Sequence, residues 1–328
     1  MNSPIILSRT PFRISLGGGS TDMPSYYQKY GGFIFAATIN MYVDIFIKKP
    51  VSDDYVHMHY TQYEYESSAG SLKHILGKEA LKMMGIQNKI AVSFKADTPA
   101  GTGLGSSGAC SVGLLKGLSL YKGAEMNNLE AAEQSFLMTQ NLDLPDGKQD
   151  PYVCALGGFV VLDIDKDGKV SVSRPVIAPE TIDTFLLNTL FYYTGIRRNS
   201  KSLLDAQDHQ RVLELKHKTK KIGQEILGAF TRGDLDTFGA LMDEHWNIKK
   251  EMSVNMTNAW LDDVYASAKR AGALGGKIMG AGGGGYFMFY CRSESDKRSV
   301  QSALKNFDLR EMNLQIDEMG ARATVINL

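Results

Sequence analysis

The stretch PAGTGLGSSGACSVGLL, residues 99–115, is rich in glycine and serine at its start and apolar at its end. A strand-like stretch, residues 89–99, precedes it, and the spacing of the later apolar residues predicts a helix. The start of a helix exposes unpaired N–H groups and the positive end of the helix dipole, and glycines let such a backbone close around an anion. We therefore expect a phosphate-binding loop containing Gly101, Gly103, Gly105, Ser106 and Ser107.

This loop lacks the P-loop pattern G-x-x-x-x-G-K-[ST]. Counted from Gly101 it also does not fit G-x-G-x-x-G, because Gly101, Gly103 and Gly105 are followed by Ser106. A plainer interpretation is a glycine turn with a serine that caps the following helix. Taken alone, the loop does not separate these two interpretations.

The composition indicates a soluble globular protein. The chain has 328 residues, 43% of them hydrophobic, and its 36 Lys and Arg balance its 36 Asp and Glu. Such a balance favours neither nucleic acid nor a membrane as a partner. Its three cysteines are widely spaced and the first residues do not resemble a signal peptide, so we expect reduced thiols and a cytoplasmic protein.

The order of predicted elements indicates an α+β fold. Strands and helices alternate in the first half, where residues 32–49 are expected to form two strands and residues 55–67 one half-buried strand. Long charged helices follow in the second half. The pattern breaks near residue 180, which predicts an N-terminal domain at 1–180 and a C-terminal domain at 181–328.

Two further glycine clusters lie before and after this loop in the sequence. GAGGGG, residues 280–285, precedes an apolar strand, and so many glycines in a row indicate that a backbone or a ligand comes very close. A tight corner or a surface loop is the alternative. RTPFRISLGGGSTD, residues 9–22, joins a strand that carries Arg13 to glycines and Asp22. Asp22 could also simply cap the short helix that follows.

In this order, the three clusters resemble the signature motifs of the GHMP superfamily, named for galactokinase, homoserine kinase, mevalonate kinase and phosphomevalonate kinase. The resemblance spans residues 9–291. It implies a GHMP kinase-like α+β fold, with an N-terminal domain like ribosomal protein S5 domain 2 and a C-terminal ferredoxin-like domain. It also implies an active site between them, with the ATP phosphates on residues 101–107.

Four segments resemble one branch of that superfamily, the D-glycero-D-manno-heptose 7-phosphate kinases. They are the stretch from Arg9 to Val43, GKQDPYVCALGG, YYTGIRRNS and EHWNIKKEM. This resemblance implies phosphorylation of the anomeric hydroxyl of a sugar phosphate, for nucleotide-activated heptose used in surface polysaccharide. Galactokinases usually have Gly-Glu-His-Thr-Asp where this chain has GGSTD, residues 18–22, so Gly18 and Gly19 make galactose a poorer expectation.

The resemblance also implies residue roles. Asp150 would orient or deprotonate the acceptor hydroxyl, and Arg13 would hold Asp150 ionised and stabilise the transferring charge. Asp22 would accept hydrogen bonds from the sugar. The expected nucleotide-binding residues are Pro99, Gly101, Gly103, Leu104, Gly105, Ser106 and Ser107. The expected substrate-binding residues are Asp22, Gly18, Gly19, Thr21, Arg198, Lys148, Gly282 and Gly283, with Arg197, Lys249 and Lys250 as further cations.

The chain departs from the superfamily at the residue that usually binds Mg²⁺. A Glu is common about eleven or twelve residues before the catalytic Asp, where this chain has Met138 and Thr139. Glu133 lies more than a helical turn away. We expect Mg²⁺ to rest mainly on the nucleotide phosphates, Ser107 and water. The alternatives are that Asp143 or Asp146 takes the place of the missing Glu, or that the enzyme is impaired.

Other functions stay open at this point. The nearest is another GHMP sugar kinase, of the L-fucose or galactose type. The altered magnesium position favours a second, a superfamily member that binds sugar without catalysis, whereas Asp150 and Arg13 together argue against it. The sequence leaves the oligomeric state open.

Overall fold

A computed structural model describes residues 4–197 and 209–327. Its larger sheet is built on two long neighbouring strands, β1 (Ile5–Gly17) and β2 (Gly32–Lys48). The other strands of this sheet are β3 (Val56–His59), β4 (Tyr63–Glu66), β5 (Ile90–Ala96), β6 (Phe159–Ile164), β7 (Val170–Ser173) and β12 (Arg322–Ile326). The strand order is β12-β1-β2-β5-β3-β4, and β6 joins β2 and β7. All pairs are antiparallel except β3 with β5.

The prediction of two strands over residues 32–49 was wrong. Strand β2 runs without a break because it changes partner halfway: residues 32–37 pair with β6 and residues 43–48 pair with β5. The expected single strand at 55–67 is two short antiparallel strands, β3 and β4. These differences follow from tertiary pairing, which a linear pattern does not contain.

Strand β1 continues through Pro11. The pairing with β2 shifts register between Pro11 and Arg13, which is where a residue without an N–H cannot join the ladder. After the shift, Phe12 and Arg13 are both buried although they are neighbours in the strand. The irregularity thus places the guanidinium of Arg13 on the inside of the protein.

Ten described helices accompany the sheets: α1 (Pro24–Tyr30), α2 (Ile75–Met83), α3 (Ser106–Tyr121), α4 (Asn128–Asn141), α5 (Gln149–Leu156), α6 (Pro179–Asn188), α7 (His209–Thr231), α8 (Leu235–Lys250), α9 (Ala259–Arg270) and α10 (Glu294–Leu304). Helix α3 lies very close to the large sheet. A Cβ at Gly113 would lie 2.7 Å from Thr10 Oγ1, and one at Gly117 would lie 2.8 Å from Ile47 Cδ1. The glycines therefore let α3 pack directly on β1 and β2.

The second half forms a four-stranded antiparallel sheet. Its order is β11-β8-β10-β9, formed by β8 (Thr189–Tyr193), β9 (Ala273–Ile278), β10 (Tyr286–Cys291) and β11 (Arg310–Met312). Helices α8 and α9 pack against β9. The predicted α+β class is confirmed by this mixture of antiparallel sheets and covering helices.

The last strand, β12, lies outside this second sheet. It pairs with β1 from Ile5↔Ile326 to Arg9↔Arg322, although the sequence had assigned it to the C-terminal domain at 181–328. Helix α7 also packs on β1 and β2. The division near residue 180 therefore stays a prediction, because later parts of the chain return to the first sheet. No helix in the described ranges has both the length and the apolar character needed to cross a membrane.

Candidate active site

A cavity of about 980 Å³ lies where the loop between β5 and α3, the end of β1 and the start of α5 meet residues of the second half. The first half contributes Arg13, Asp22, Asp146 and Asp150 to its wall, together with most of the glycine loop. The second half contributes Arg197, Thr219, His245, Lys249, Met252, Lys277, Gly280 and Ala281.

The centre of the site is an ion pair between β1 and α5. Arg13 donates from Nε and Nη2 to Oδ1 of Asp150, at 2.9 and 2.6 Å. The Arg13 side chain is only 4% exposed, whereas that of Asp150 is 32% exposed. Asp150 thus faces the cavity while Arg13 fixes it from behind.

Arg13 also holds the glycine loop. Its Nη1 donates to the carbonyl of Gly103 at 2.6 Å, and its backbone N–H donates to the carbonyl of Leu104 at 3.0 Å. Gly105 caps α3 in the left-handed region, with φ of 75°, and a Cβ there would lie 3.0 Å from Arg13 Cγ. One arginine therefore connects the carboxylate of Asp150 to the loop at the start of α3.

The loop has the features of an anion site. Helix α3 begins at Ser106 with no side-chain cap, so its first N–H groups are open to a ligand. Of the expected nucleotide-binding residues, all but one line the cavity: Pro99, Gly101, Gly103, Gly105, Ser106 and Ser107. Leu104 is fully buried and packs in the core instead.

Asp22 lies at the same end of the cavity as Asp150. Its Oδ2 accepts from the backbone N–H of Gln149 at 2.8 Å, and a Cβ at Gly147 would come within 2.1 Å of that oxygen. Burial raises the pKa of Asp22, and the nearby Asp150 adds to the effect. The carboxylate is held on one oxygen in a position to meet a polar ligand.

A third carboxylate, Asp146, lies beside the loop. Ser107 Oγ donates to its Oδ2 at 3.4 Å. Burial, followed by repulsion from Asp150, raises the pKa of Asp146 to about 6. Asp143, the other candidate from the sequence, is exposed and does not line the cavity. The structure therefore favours Asp146 over Asp143 as a partner of Ser107.

Lys148 does not lie where the sequence analysis expected a contact with a substrate phosphate. Lys148 donates to both carboxylate oxygens of Glu133, at 2.7 and 2.9 Å, and its ammonium lies 4.3 Å from the centre of the Phe136 ring. It is buried against α4 and does not line the cavity. Because Glu133 neutralises it there, neither residue is placed to serve the site.

Gly18 and Thr21 serve packing rather than the cavity wall. A Cβ at Gly18 would lie 1.9 Å from the carbonyl oxygen of Phe33, and the buried Thr21 hydroxyl donates to Gly18 and Phe33 at 2.8 Å each. Gly19 alone of these three lines the cavity. The motif thus shapes the turn that presents Gly19 and Asp22.

The glycine loop at 280–285 is used differently from the expectation. Gly280 and Ala281 line the cavity, whereas Gly282 and Gly283 pack on Met256: a Cβ at Gly282 would lie 2.8 Å from its Sδ, and Gly283 donates to its carbonyl at 2.7 Å. The two glycines are therefore placed against protein rather than a substrate.

The last glycine of that loop touches the first glycine loop. Gly285 has φ of 90°, and a Cβ there would lie 2.0 Å from the carbonyl oxygen of Thr102. Gly285→Ala is therefore expected to lower the free energy of unfolding by about 2–4 kcal/mol, because the two loops must separate. Chemical denaturation measures this change.

A matched control for that change is Gly123→Ala. Gly123 has φ of 78° but no atom within 4 Å of a built Cβ. Only the backbone strain of about 1 kcal/mol is expected there. Equal losses in the two variants would contradict the close contact between the loops.

Two cations of the second half line the cavity in positions that the sequence left uncertain. Lys249 donates to the carbonyls of Ile278 and Gly280. Arg197 is exposed and lines the cavity, whereas Lys250 does not line it. Arg198, the preferred candidate from the sequence, lies outside the described residues.

The arrangement corresponds to a known family. A model of the GHMP kinase N-terminal domain matches residues 72–158, and a model of the GHMP kinase C-terminal domain matches residues 226–308, together more than half of the chain. The chain belongs to the GHMP kinases. The fold expected from the three motifs is confirmed by these matches, and the GHMP kinases are ATP-dependent enzymes.

Individual relatives narrow the comparison within the GHMP kinases. The D-glycero-alpha-D-manno-heptose 7-phosphate kinase of Campylobacter jejuni is 28% identical, over 92% of this chain and 93% of the relative. A crystal structure of a D-glycero-D-manno-heptose 1-phosphate kinase from Bacteroides thetaiotaomicron has a TM-score of 0.81 at 25% identity, and covers 98% of this chain and 100% of that one.

A third relative is a longer, bifunctional protein, and only part of it aligns with this chain. The L-fucokinase/L-fucose-1-P guanylyltransferase of Bacteroides fragilis is 26% identical over 86% of this chain. The match takes in only 34% of that longer relative.

Two buried residues of this GHMP kinase were missed by the sequence analysis. Lys277 is 2% exposed on β9, and His245 is 2% exposed on α8, yet both line the cavity. Both lie in family-like segments, but nothing in a linear sequence shows that a lysine is buried. Only their approach to Arg13 and the end of β1 draws attention to them.

Proposed function

We propose that this GHMP kinase transfers the γ-phosphoryl group of ATP to the anomeric hydroxyl of D-glycero-D-manno-heptose 7-phosphate. The observation that carries the proposal is Asp150, held by Arg13 in the cavity that the glycine loop also lines. The sugar is supported by the similarity to two heptose phosphate kinases. The two names place the phosphate on carbon 7 and on carbon 1 of the heptose respectively. We therefore propose, as a separate step, that this protein phosphorylates the anomeric hydroxyl of the 7-phosphate.

The proposed reaction places each charged group in a role. The acceptor oxygen forms a bond to the γ-phosphorus, the bond from that phosphorus to the bridging oxygen breaks, and ADP leaves with the electron pair. Asp150 orients the acceptor hydroxyl and takes its proton. Both hydrogen bonds from Arg13 to Asp150 end on Oδ1, which leaves Oδ2 to face the hydroxyl.

The other groups position the substrates. The open N–H groups of α3, with Ser106, would hold phosphate oxygens of ATP. Asp22 would accept a hydrogen bond from a sugar hydroxyl, since only one of its oxygens is held by Gln149. Arg13 lies buried beside the reacting groups, where its charge would offset the charge that develops on the transferring phosphoryl group.

Mg²⁺ is the expected cofactor beside ATP, and the donor set fits it. Ser107 and Asp146 offer hard oxygen ligands at the same edge of the cavity, 3.4 Å apart. Among the described residues no three His, Cys, Asp or Glu side chains are grouped to hold a metal by themselves. Phosphate oxygens and water would complete the shell, and the bound ion would neutralise phosphate charge.

Asp146→Asn is expected to raise the Mg²⁺ concentration needed for half-maximal rate by at least about tenfold, because an amide oxygen is a weaker ligand than a carboxylate. Titration of activity with Mg²⁺ at saturating ATP measures this. Asp143→Asn is the control, since Asp143 is exposed outside the cavity. An unchanged Mg²⁺ requirement in Asp146→Asn would remove that residue from the metal shell.

The direct test of function is a panel of acceptors with ATP. Heptose 7-phosphate, unphosphorylated heptose, L-fucose and galactose are compared, and phosphorus NMR identifies the carbon that gains phosphate. We expect heptose 7-phosphate to be the best acceptor and its anomeric carbon to be modified. A preference for L-fucose would instead favour the function of the fucokinase relative. If none of the four sugars gains a phosphate from ATP, the proposal is refuted. A cytoplasmic location fits a supply of ATP.

A further inference from the structure

Lys277 is a buried cation whose surroundings the proposed mechanism does not explain. It projects from β9 into the cavity wall and is 2% exposed. Its Nζ donates to the carbonyl of Leu16 at 3.4 Å and lies 3.3 Å from Nδ1 of His245, both at the long end of hydrogen-bond distances. It forms no ion pair with any carboxylate of the residues described.

Such a lysine is costly to bury without an anion. Burying an ammonium group without a charged partner disfavours its protonated form. Burial, with repulsion from Arg13, lowers the pKa of Lys277 to about 7. His245 supplies no negative charge, since burial and then the neighbouring lysines lower its pKa well below the usual value and keep the imidazole neutral. The protein part of the site therefore leaves this ammonium undercompensated.

The carboxylates of the cavity wall all come from the first half of the chain, which also contributes the cations Arg13 and Lys95. These carboxylates are Asp22, Asp97, Asp146 and Asp150, whereas the cations Arg197, Lys249 and Lys277 come from the second half. Arg13 is neutralised by Asp150, but Lys277 has no such partner in the described chain. An anion beside Lys277 would relieve its repulsion with Arg13 and repay part of its desolvation.

We propose that Lys277 binds a phosphate oxygen of a substrate seated in the cavity. The ligand chemistry is a phosphate dianion, which comes either from the terminal phosphate of ATP or from the phosphate that the sugar already carries. This inference rests on the proposed function, since that function brings both phosphates into one cavity. If the phosphate is the one on the sugar, Lys277 is a cation of the kind that the sequence analysis sought in Lys148 and Arg198.

Lys277→Met separates binding from a structural role. Methionine has a similar length and no charge, so the variant is expected to fold at least as well as the wild type. A lysine needed only for folding would instead give a lower melting temperature and unchanged affinities. Lys277→Arg is expected to recover part of the lost affinity, because it restores a cation to the same wall.

The decisive measurement is equilibrium binding of three probes by calorimetry: a non-hydrolysable ATP analogue, heptose 7-phosphate and unphosphorylated heptose. Lys277→Met is expected to weaken one of the first two by about 10- to 100-fold and to leave unphosphorylated heptose unchanged. Weakening of the ATP analogue identifies the terminal phosphate, and weakening of heptose 7-phosphate identifies the acceptor's phosphate. Unchanged affinity for both overturns the proposal.

Two further arms keep this test independent of folding and of the sugar. Lys116→Met is the control, since Lys116 is a half-buried lysine on α3 outside the cavity and is expected to bind all probes normally. A crystal structure of the wild type with the ATP analogue and heptose 7-phosphate should place Nζ in hydrogen-bond contact with a phosphate oxygen. A Lys277 remote from every phosphate refutes the inference. Failure of heptose 7-phosphate to bind the wild type would count against the proposed function. The affinity of Lys277→Met for the ATP analogue would then test the role of Lys277 by itself.

Discussion

Asp150→Asn should slow phosphoryl transfer by at least about a hundredfold, the loss typical for removal of a general base. Asparagine keeps the shape of the side chain and can still accept from Arg13, but it cannot take the proton of the acceptor hydroxyl. Nucleotide affinity should change little, because the loop at residues 101–107 is held by Arg13 and α3 rather than by Asp150.

Single-turnover kinetics and calorimetry with an ATP analogue separate these two effects. Asp163→Asn serves as the control, since Asp163 is an exposed carboxylate on β6 outside the cavity. Turnover equal to that of the wild type would exclude Asp150 as the base. If nucleotide affinity falls by the same factor as the rate, Asp150 instead helps to hold the conformation of the loop at residues 101–107.

Arg13→Met is expected to reduce kcat by on the order of a thousandfold and, unlike Asp150→Asn, to weaken ATP binding as well. Removing the guanidinium releases Asp150 and the carbonyl of Gly103 together, and it leaves a carboxylate without its partner. Arg13→Lys should recover little, because an ammonium cannot reproduce the planar fork that holds both acceptors.

Arg9→Met is a well-matched control on the same strand. Arg9 makes an equally short pair with Asp44, at 2.7 Å, but its side chain is 41% exposed. An exposed pair contributes about 1 kcal/mol or less to stability, so kcat and ATP affinity should stay near the wild-type values. Similar kinetic losses in the Arg9 and Arg13 variants would show that damage to β1, rather than the site, causes the effect.

The sequence predicted the α+β class and most element positions because hydrophobic periodicity and the glycines at the ends of elements are local signals. It failed at β2, where the change of partner from β6 to β5 keeps one strand continuous. It also could not place β12 beside β1, since the two strands lie at opposite ends of the chain. Both features are set by pairing between distant segments.

The residues of the candidate site also differ in whether local sequence could predict them. The motifs led to Arg13, Asp150 and the glycine loop, which the structure brings together. Lys148 misled because its neighbour in space, Glu133, lies on another helix, and the pairing of the two cannot be read along the chain. Lys277 was missed for the opposite reason, because an unpaired lysine looks ordinary until its burial is known.

The pairing of β12 with β1 has a consequence for how the protein is made. Strand β1 leaves the ribosome well before Arg322–Ile326, which cover one of its edges. During synthesis that edge offers free main-chain groups to other nascent strands, the situation in which chains aggregate. Chaperone demand should therefore fall sharply once β12 emerges and covers that edge of β1.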